Sequence, residues 1–196
     1  GPHTIMTPVA YLSGIEYVRD AVEHPILGNF ILNTLFNEII PTIDLPEDEL
    51  KSFANEVLNR FRNPFIKHAL MSISLNSVSK FKARVLPTLK TYVIAKNKLP
   101  QQIVVSLAAL IVFYSGRNGD KIIQVQDNAE IMEFFKTIWN NYDNKKIGTS
   151  EIVHETLKNT NFWGEDITEI EGLELQTKNY IDKILKNGML AVVESL

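Results

Sequence analysis

The chain has no cysteine, which excludes disulfide bridges, thiolate nucleophiles and cysteine-bound zinc. It has no excess of charge either: 20 Lys and Arg against 23 Asp and Glu give a net charge of −3, so no nucleic-acid partner is expected. Its longest apolar run, residues 103–114, is interrupted by Ser106 and is too short to span a bilayer. The sequence opens without a charged and then apolar leader, so we expect no membrane contact, and the lack of cysteine favours the reducing cytoplasm.

Motifs for common catalytic chemistry are also missing. The sequence contains no glycine-rich dinucleotide fingerprint, phosphate-binding loop, nucleophile elbow or H-E-x-x-H pair. His24, His68 and His154 lie far apart and have no carboxylate or second histidine at the usual spacing of metal ligands. No metal site is therefore expected.

Helical periodicity dominates the chain, and 45% of its residues are hydrophobic, enough to fill a core. Thr7 before Pro8 resembles a helix start and predicts a first helix over about 8–23. Further helices are predicted over about 26–39 and 47–62. A fourth is predicted to begin at 63–64, with helical structure continuing to 95, and others are predicted over 100–114, 128–140, 149–157 and 173–185. The β-branched stretch 121–126 predicts a short strand. The expected fold is mainly α: one compact multi-helix domain over 1–196 with at most a short strand or hairpin.

One stripe of polar residues follows the predicted fourth helix at four-residue spacing, namely His68, Ser72, Asn76 and Lys80. Such a stripe is either a solvated face or the wall of a cleft. Lys80, Lys82 and Arg84 follow one another closely, and cations near a helix end are also favoured by the helix dipole. Lys80 and Arg84 share a face only if the helix continues.

Two segments resemble a known family. The run NPFIKH, residues 63–68, continues into LNSVSKFKARVLP, residues 75–87, and His3 precedes Tyr-Leu-Ser-Gly at 11–14. Together they resemble the C-terminal domain of the long-chain mannitol dehydrogenase family, which contains polyol 2-dehydrogenases and two hexuronate reductases. The likeness is densest over residues 3–87 and thins after residue 114. Family members carry Lys-x4-Asn-x2-His before a Tyr-Leu-Ala/Ser-Gly segment; His3 matches the end of this pattern, whose Lys and Asn would precede Gly1.

The resemblance implies metal-independent hydride transfer between NADH and the ketone of a hexuronate. The family lysine would act as acid and base, while the asparagine and His3 hydrogen-bond the reacting oxygen, where donors stabilise the developing negative charge. The dinucleotide-binding domain would lie outside this chain and would bind most of the NAD. The chain alone is accordingly expected to be inactive, and exposure of its inter-domain surface is expected to favour self-association.

The resemblance also suggests substrate-binding residues. Lys80 matches a lysine of the family's substrate pocket, and Arg84 is a candidate carboxylate partner from its charge and nearness. Ser72 replaces an arginine of the polyol dehydrogenases, and Asn76-Ser77 replaces their Asp-Gly, which argues against a mannitol-type substrate. The run that ends at residues 82–87 is most similar to the tagaturonate-reducing branch, so a hexuronate or aldonate substrate is expected. Alternatives are a fructuronate reductase, a mannitol-type polyol dehydrogenase, or a helical interaction module without catalysis.

Overall fold

The computed structural model describes residues 1–196, and its mainly α architecture confirms the predicted fold class. The α-helices are α1 (Pro2–Leu12), α2 (Val18–Glu23), α3 (Pro25–Asn33), α4 (Glu47–Phe61), α5 (Leu70–Ile73), α6 (Ser77–Arg84), α7 (Leu86–Lys96), α8 (Gln101–Phe113), α9 (Ala129–Asp143), α10 (Thr149–Leu157), α11 (Thr160–Trp163), α12 (Leu173–Asn187) and α13 (Met189–Glu194). A π-helical segment, Thr34–Ile39, continues α3 and passes into a 3-10 turn, Ile40–Thr42; a second 3-10 turn spans Ile167–Glu169. Two short strands, β1 (Arg117–Asn118) and β2 (Lys121–Ile122), form an antiparallel hairpin. No helix is both long enough and apolar enough to cross a membrane.

Helix α8 is the centre of the fold. Residues 103–113 are all buried, and the helix packs between α1 and α12. The hydroxyl of Ser106 donates a hydrogen bond to the carbonyl of Ile5 at 2.8 Å, which satisfies the one polar side chain in this buried stretch. The amide of Asn118, beyond the end of α8, donates to the carbonyl of Leu12 at 3.0 Å. Ile5 thus lies beside Ser106, and Leu12 lies beside Asn118. Because later residues of one segment lie beside later residues of the other, α1 and α8 run in the same direction and begin at the same end of the molecule.

The prediction of a first helix over 8–23 is wrong. Helix α1 begins at Pro2, includes Pro8, and ends at Leu12, where Gly14 adopts a positive φ of 87°. Glycine reaches this left-handed conformation without steric cost, and it commonly terminates a helix. Thr7 does not cap a helix start, since its hydroxyl donates to the carbonyl of His3 at 2.6 Å.

The predicted continuous fourth helix is also wrong. Residues 62–69 are not helical, because the side chain of Asn63 accepts a hydrogen bond from the backbone N–H of Phe65 at 3.0 Å and forms a local turn. The segment then runs beside the start of α2, where the N–H of Val18 donates to the carbonyl of His68 at 3.0 Å. Helices α5 and α6 follow separately, so the stripe predicted from residue 68 to residue 80 does not lie on one helix.

The remaining predictions agree more closely with the structure. The predicted helices over 47–62 and 149–157 correspond to α4 and α10, and the predicted strand over 121–126 shrinks to β2. Helices α11 and α13 were not predicted, because both are too short to show a helical period.

A candidate active site at the start of the first helix

A cavity of about 390 Å³ lies where α1 begins. Three elements build most of its wall: the first residues of α1, one face of α4, and the turn between α4 and α5. Its lining residues are Gly1, Pro2, His3, Val18, Val57, Arg60, Phe61, Ile66, His68 and Arg84. The cavity therefore brings together the sequence-predicted residues His3 and Arg84 with His68, which the sequence placed on the polar stripe.

The imidazole of His3 is held between two rings. It stacks on Phe61 with a centroid separation of 4.2 Å and meets His68 edge to face at 5.3 Å. Its Nε2 atom is buried and has no hydrogen-bond partner within the protein. Buried polar atoms are nearly always paired, so an unpaired ring nitrogen in a residue that lines a cavity marks His3 as a candidate binding group.

The electrostatic environment keeps this imidazole neutral. Burial is the main reason that the pKa of His3 falls from 6.5 to about 4, and the neighbouring His68 and Arg84 lower it further. At neutral pH the ring carries no charge, and Nε2 can either donate or accept a hydrogen bond, depending on its tautomer.

Lys80 and Arg84 occupy one face of α6, since both fall within this helix and are four residues apart. Arg84 is exposed at the cavity rim, whereas Lys80 is half-buried, lies one turn earlier, and does not line the cavity. The Lys80 Nζ donates to the carbonyl of Ile73 at 2.8 Å. Burial lowers the pKa of Lys80, as does the neighbouring Arg84, while Asp127 acts in the opposite direction.

Asn76 sets the start of α6 and does not line the cavity. Its backbone is left-handed, with φ of 53°, and its carbonyl accepts the N–H of Lys80 at 3.1 Å. The Tyr114 hydroxyl accepts the N–H of Val78 at 3.4 Å and donates to Asp127. These contacts fix the first turn of the helix that carries Lys80.

Val57, Arg60 and Phe61 were not identified from the sequence, although they form the α4 side of the cavity. Their spacing of three and four residues places them on one helix face, a signal that the sequence does contain. Nothing in the sequence of α4 indicates that this face turns toward His3, because the approach depends on the turn at residues 62–69.

The chain lacks the parallel sheet in which dinucleotide sites of the NAD type usually lie. Such sites lie at the end of a parallel strand, beside a glycine-rich turn and a helix start, whereas the one sheet here is a two-stranded antiparallel hairpin. No three His, Asp or Glu side chains are grouped as a metal site.

The fold and its sequence place the chain in a dehydrogenase family. Residues 1–185 match the family described as the mannitol dehydrogenase C-terminal domain, and the chain belongs to this family.

Among curated relatives, the chain is 43% identical over 193 residues to an altronate oxidoreductase of Yersinia pestis, an alignment that covers 98% of this chain and 40% of the relative. It is also 43% identical over 199 residues to an altronate oxidoreductase of Bacteroides thetaiotaomicron, covering 100% and 40%. The chain thus spans about two fifths of the length of these relatives.

Two solved structures share the fold. One is the mannitol 2-dehydrogenase of Pseudomonas fluorescens in a ternary complex with NAD and D-mannitol, with a TM-score of 0.86 at 17% identity over 100% of this chain and 38% of that one. The other is a substrate-free D-sorbitol dehydrogenase, with a TM-score of 0.73 at 18% identity, covering 98% and 38%. The resemblance stated from residues 3–87 is thereby confirmed at the level of the family.

Proposed function

We propose that this chain is the substrate-binding domain of an NAD-dependent oxidoreductase that interconverts the ketone of tagaturonate and the alcohol of altronate. The observation that carries the proposal is His3, which ends the family motif, lines a cavity together with Arg84, and has a buried Nε2 atom without a hydrogen-bond partner. Relatives named altronate oxidoreductase, at 43% identity, support the choice of substrate.

His3 is assigned to the reacting oxygen. A ketone that becomes an alkoxide gains negative charge on its oxygen, and a fixed donor aimed at that atom stabilises the transition state more than the ground state. The lowered pKa of His3 supports this role, because a neutral imidazole can hydrogen-bond the oxygen without a change of its own charge. Phe61 restrains the ring, which reduces the reorganisation needed during the reaction.

Arg84 and Lys80 are assigned to the substrate's carboxylate and hydroxyl groups. A guanidinium at the rim of the cavity can pair with a carboxylate through two parallel hydrogen bonds. The Lys80 ammonium already donates a hydrogen bond to the Ile73 carbonyl. It binds a substrate oxygen only by giving up this hydrogen bond. Asn76 contributes by starting α6, and its exposed amide is a weaker candidate for direct contact.

The redox cofactor belongs to polypeptide outside these 196 residues, in a separate domain of the full-length protein. The lack of a parallel sheet and a glycine-rich turn here supports this division, and so does the fraction of the relatives' length that the chain covers. The isolated chain is accordingly expected to be inactive and the full-length protein to work in the cytoplasm.

The direct test is a substrate panel on the full-length protein. Tagaturonate, fructuronate and fructose are each offered with NADH, and altronate and mannitol with NAD, while absorbance of the reduced cofactor is followed. The proposal expects turnover of tagaturonate and altronate, with at least about tenfold lower kcat/KM for the other substrates. Fructose and mannitol lack the carboxylate, and fructuronate presents a hydroxyl in another configuration, so each loses a hydrogen-bonded contact, which is enough for that ratio. Preferred turnover of fructuronate or mannitol would overturn the choice of substrate, and no turnover of any would overturn the proposal.

A further inference from the structure

A second concavity, formed by other elements, has an unusual lining. It encloses about 650 Å³ between the π-helical segment, the end of α7, the start of α8 and one face of α12. Six of its twelve lining residues carry carboxamides: Asn33, Asn37, Gln101, Gln102, Gln176 and Asn179. We call this concavity the carboxamide groove. None of its residues lines the cavity of His3.

Carboxamides suit ligands rich in hydroxyl groups. Each one presents a donor and an acceptor side by side, and a pair of neighbouring hydroxyls can complement both. Within the groove, the amide of Gln101 donates to the Tyr180 hydroxyl at 3.3 Å, and the amide of Asn37 donates to Asn33 at 3.4 Å. Both contacts are long, exposed and exchangeable, so these groups remain available to a ligand.

The groove also carries positive charge. Lys98 and Lys183 line it, and neither belongs to any of the ion pairs in the structure. The Lys183 ammonium lies 5.5 Å from the centre of the Tyr180 ring, which holds it at the groove wall. Two cations without carboxylate partners favour an anionic group on the ligand.

Glu38 is the one acidic residue of the groove, and its carboxyl oxygens are already engaged in hydrogen bonds. Its two oxygens accept the backbone N–H groups of Gln102 and Ile103 at 2.8 and 2.9 Å, and the side chain is almost completely buried. The carboxyl therefore binds the N–H groups at the start of α8 and forms no ion pair with either lysine.

We propose that the carboxamide groove is a second binding site, for a polyhydroxylated carboxylate of the sugar-acid class. Hydroxyl groups of the ligand pair with the carboxamides, and its carboxylate pairs with Lys183 and Lys98. The site is separate from the one that the proposed function uses, and it does not depend on that function being correct.

D-Gluconate is the probe, and calorimetric titration of the full-length protein is the measurement. Sorbitol, which has the hydroxyls without the carboxylate, and acetate, which has the carboxylate without the hydroxyls, each test one half of the recognition. We expect gluconate to bind at least about tenfold more tightly than either, because each lacks one set of hydrogen bonds.

Variants separate this groove from the cavity of His3. Lys183→Gln is expected to weaken gluconate binding about tenfold, whereas Lys186→Gln, an exposed lysine on the same helix outside the groove, leaves it unchanged. Asn179→Leu provides a second, uncharged test and is also expected to weaken binding. Lys80→Ala should leave this binding event intact, and thermal unfolding verifies that each variant is folded.

Equal gluconate affinity in the Lys183 and Lys186 variants would overturn the proposal, as would loss of all binding in Lys80→Ala. Equal affinity for gluconate, sorbitol and acetate would also contradict it. The substrate panel can fail while gluconate still binds the groove, so the two proposals are tested separately.

Discussion

Replacing Glu38 by glutamine should change how the protein's stability depends on pH. Glu38 is 3% exposed, and burial raises the pKa of its carboxyl from 4.5 to about 7, even though three backbone N–H groups at the start of α8 and Lys98 favour the charged form. The folded protein therefore keeps this proton up to about pH 7, whereas the unfolded chain releases it near pH 4.5. Between these values the unfolded state binds fewer protons, so the stability contributed by Glu38 falls as the pH rises.

The size of the effect follows from the two pKa values. Each tenfold difference in proton affinity is equivalent to about 1.4 kcal/mol. The change from 4.5 to about 7 corresponds to roughly 3 kcal/mol of unfolding free energy, lost across that interval and constant above it. Glutamine cannot titrate, so the free energy of unfolding of Glu38→Gln should not show this decrease with pH. The substitution should also lower that free energy by about 1–3 kcal/mol at every pH, because the glutamine NH₂ faces a backbone N–H group that then has no acceptor.

The assay is urea unfolding of the protein and the variant at several pH values from 4 to 8. The informative quantity is the difference between the two free energies at each pH. His3 acts with the opposite sign over an overlapping range, since its pKa falls from 6.5 to about 4 and its stability contribution rises with pH. Glu56→Gln, on the exposed face of α4, is the matched control. Parallel profiles for the parent and Glu38→Gln would refute the argument.

Three further predictions concern single positions. Asn76→Ala should lower stability by about 1 kcal/mol, because its φ of 53° is unfavourable for alanine, while Asn76→Gly should not; equal melting temperatures would contradict this. Tyr114→Phe should cost about 1–3 kcal/mol in urea unfolding, because Asp127 and the N–H of Val78 both lose a partner; an unchanged midpoint would show that water replaces the hydroxyl. The isolated chain should self-associate in sedimentation velocity and do so less as Phe65→Ser, since Phe65 is 93% exposed; a monomer at all concentrations would contradict the idea of an uncovered inter-domain surface.

Local signals in the sequence were enough to predict several helices. Acidic residues follow Pro46 at the start of α4, and the predicted range of α10 coincides with the observed one, because both helices have an apolar face and clear ends. The mainly α class followed from the same periodicity. Helix α1 was misplaced because Pro8 was interpreted as a first helical residue, whereas the buried helix accommodates it in its interior.

The candidate site was only partly accessible to such reasoning. His3 came from the family motif, and Arg84 came from charge, yet their meeting in one cavity depends on the turn after Asn63 and the left-handed backbone of Asn76. Periodicity alone extended one helix through both positions and placed Lys80 on a continuous stripe that does not exist. Asparagine can adopt a left-handed backbone but does not require one, so the presence of Asn76 did not indicate that the predicted helix is interrupted there.

The central claim, that His3 binds the reacting oxygen, is tested most directly by the kcat of the full-length protein carrying His3→Ala, measured with saturating tagaturonate and NADH. Loss of one fixed donor to a developing negative charge predicts a kcat lowered by about 10²–10³-fold with little change in melting temperature. His154→Ala, which removes an exposed histidine paired with Glu174, should retain the parental kcat. A folded His3→Ala protein with parental kcat would contradict the account.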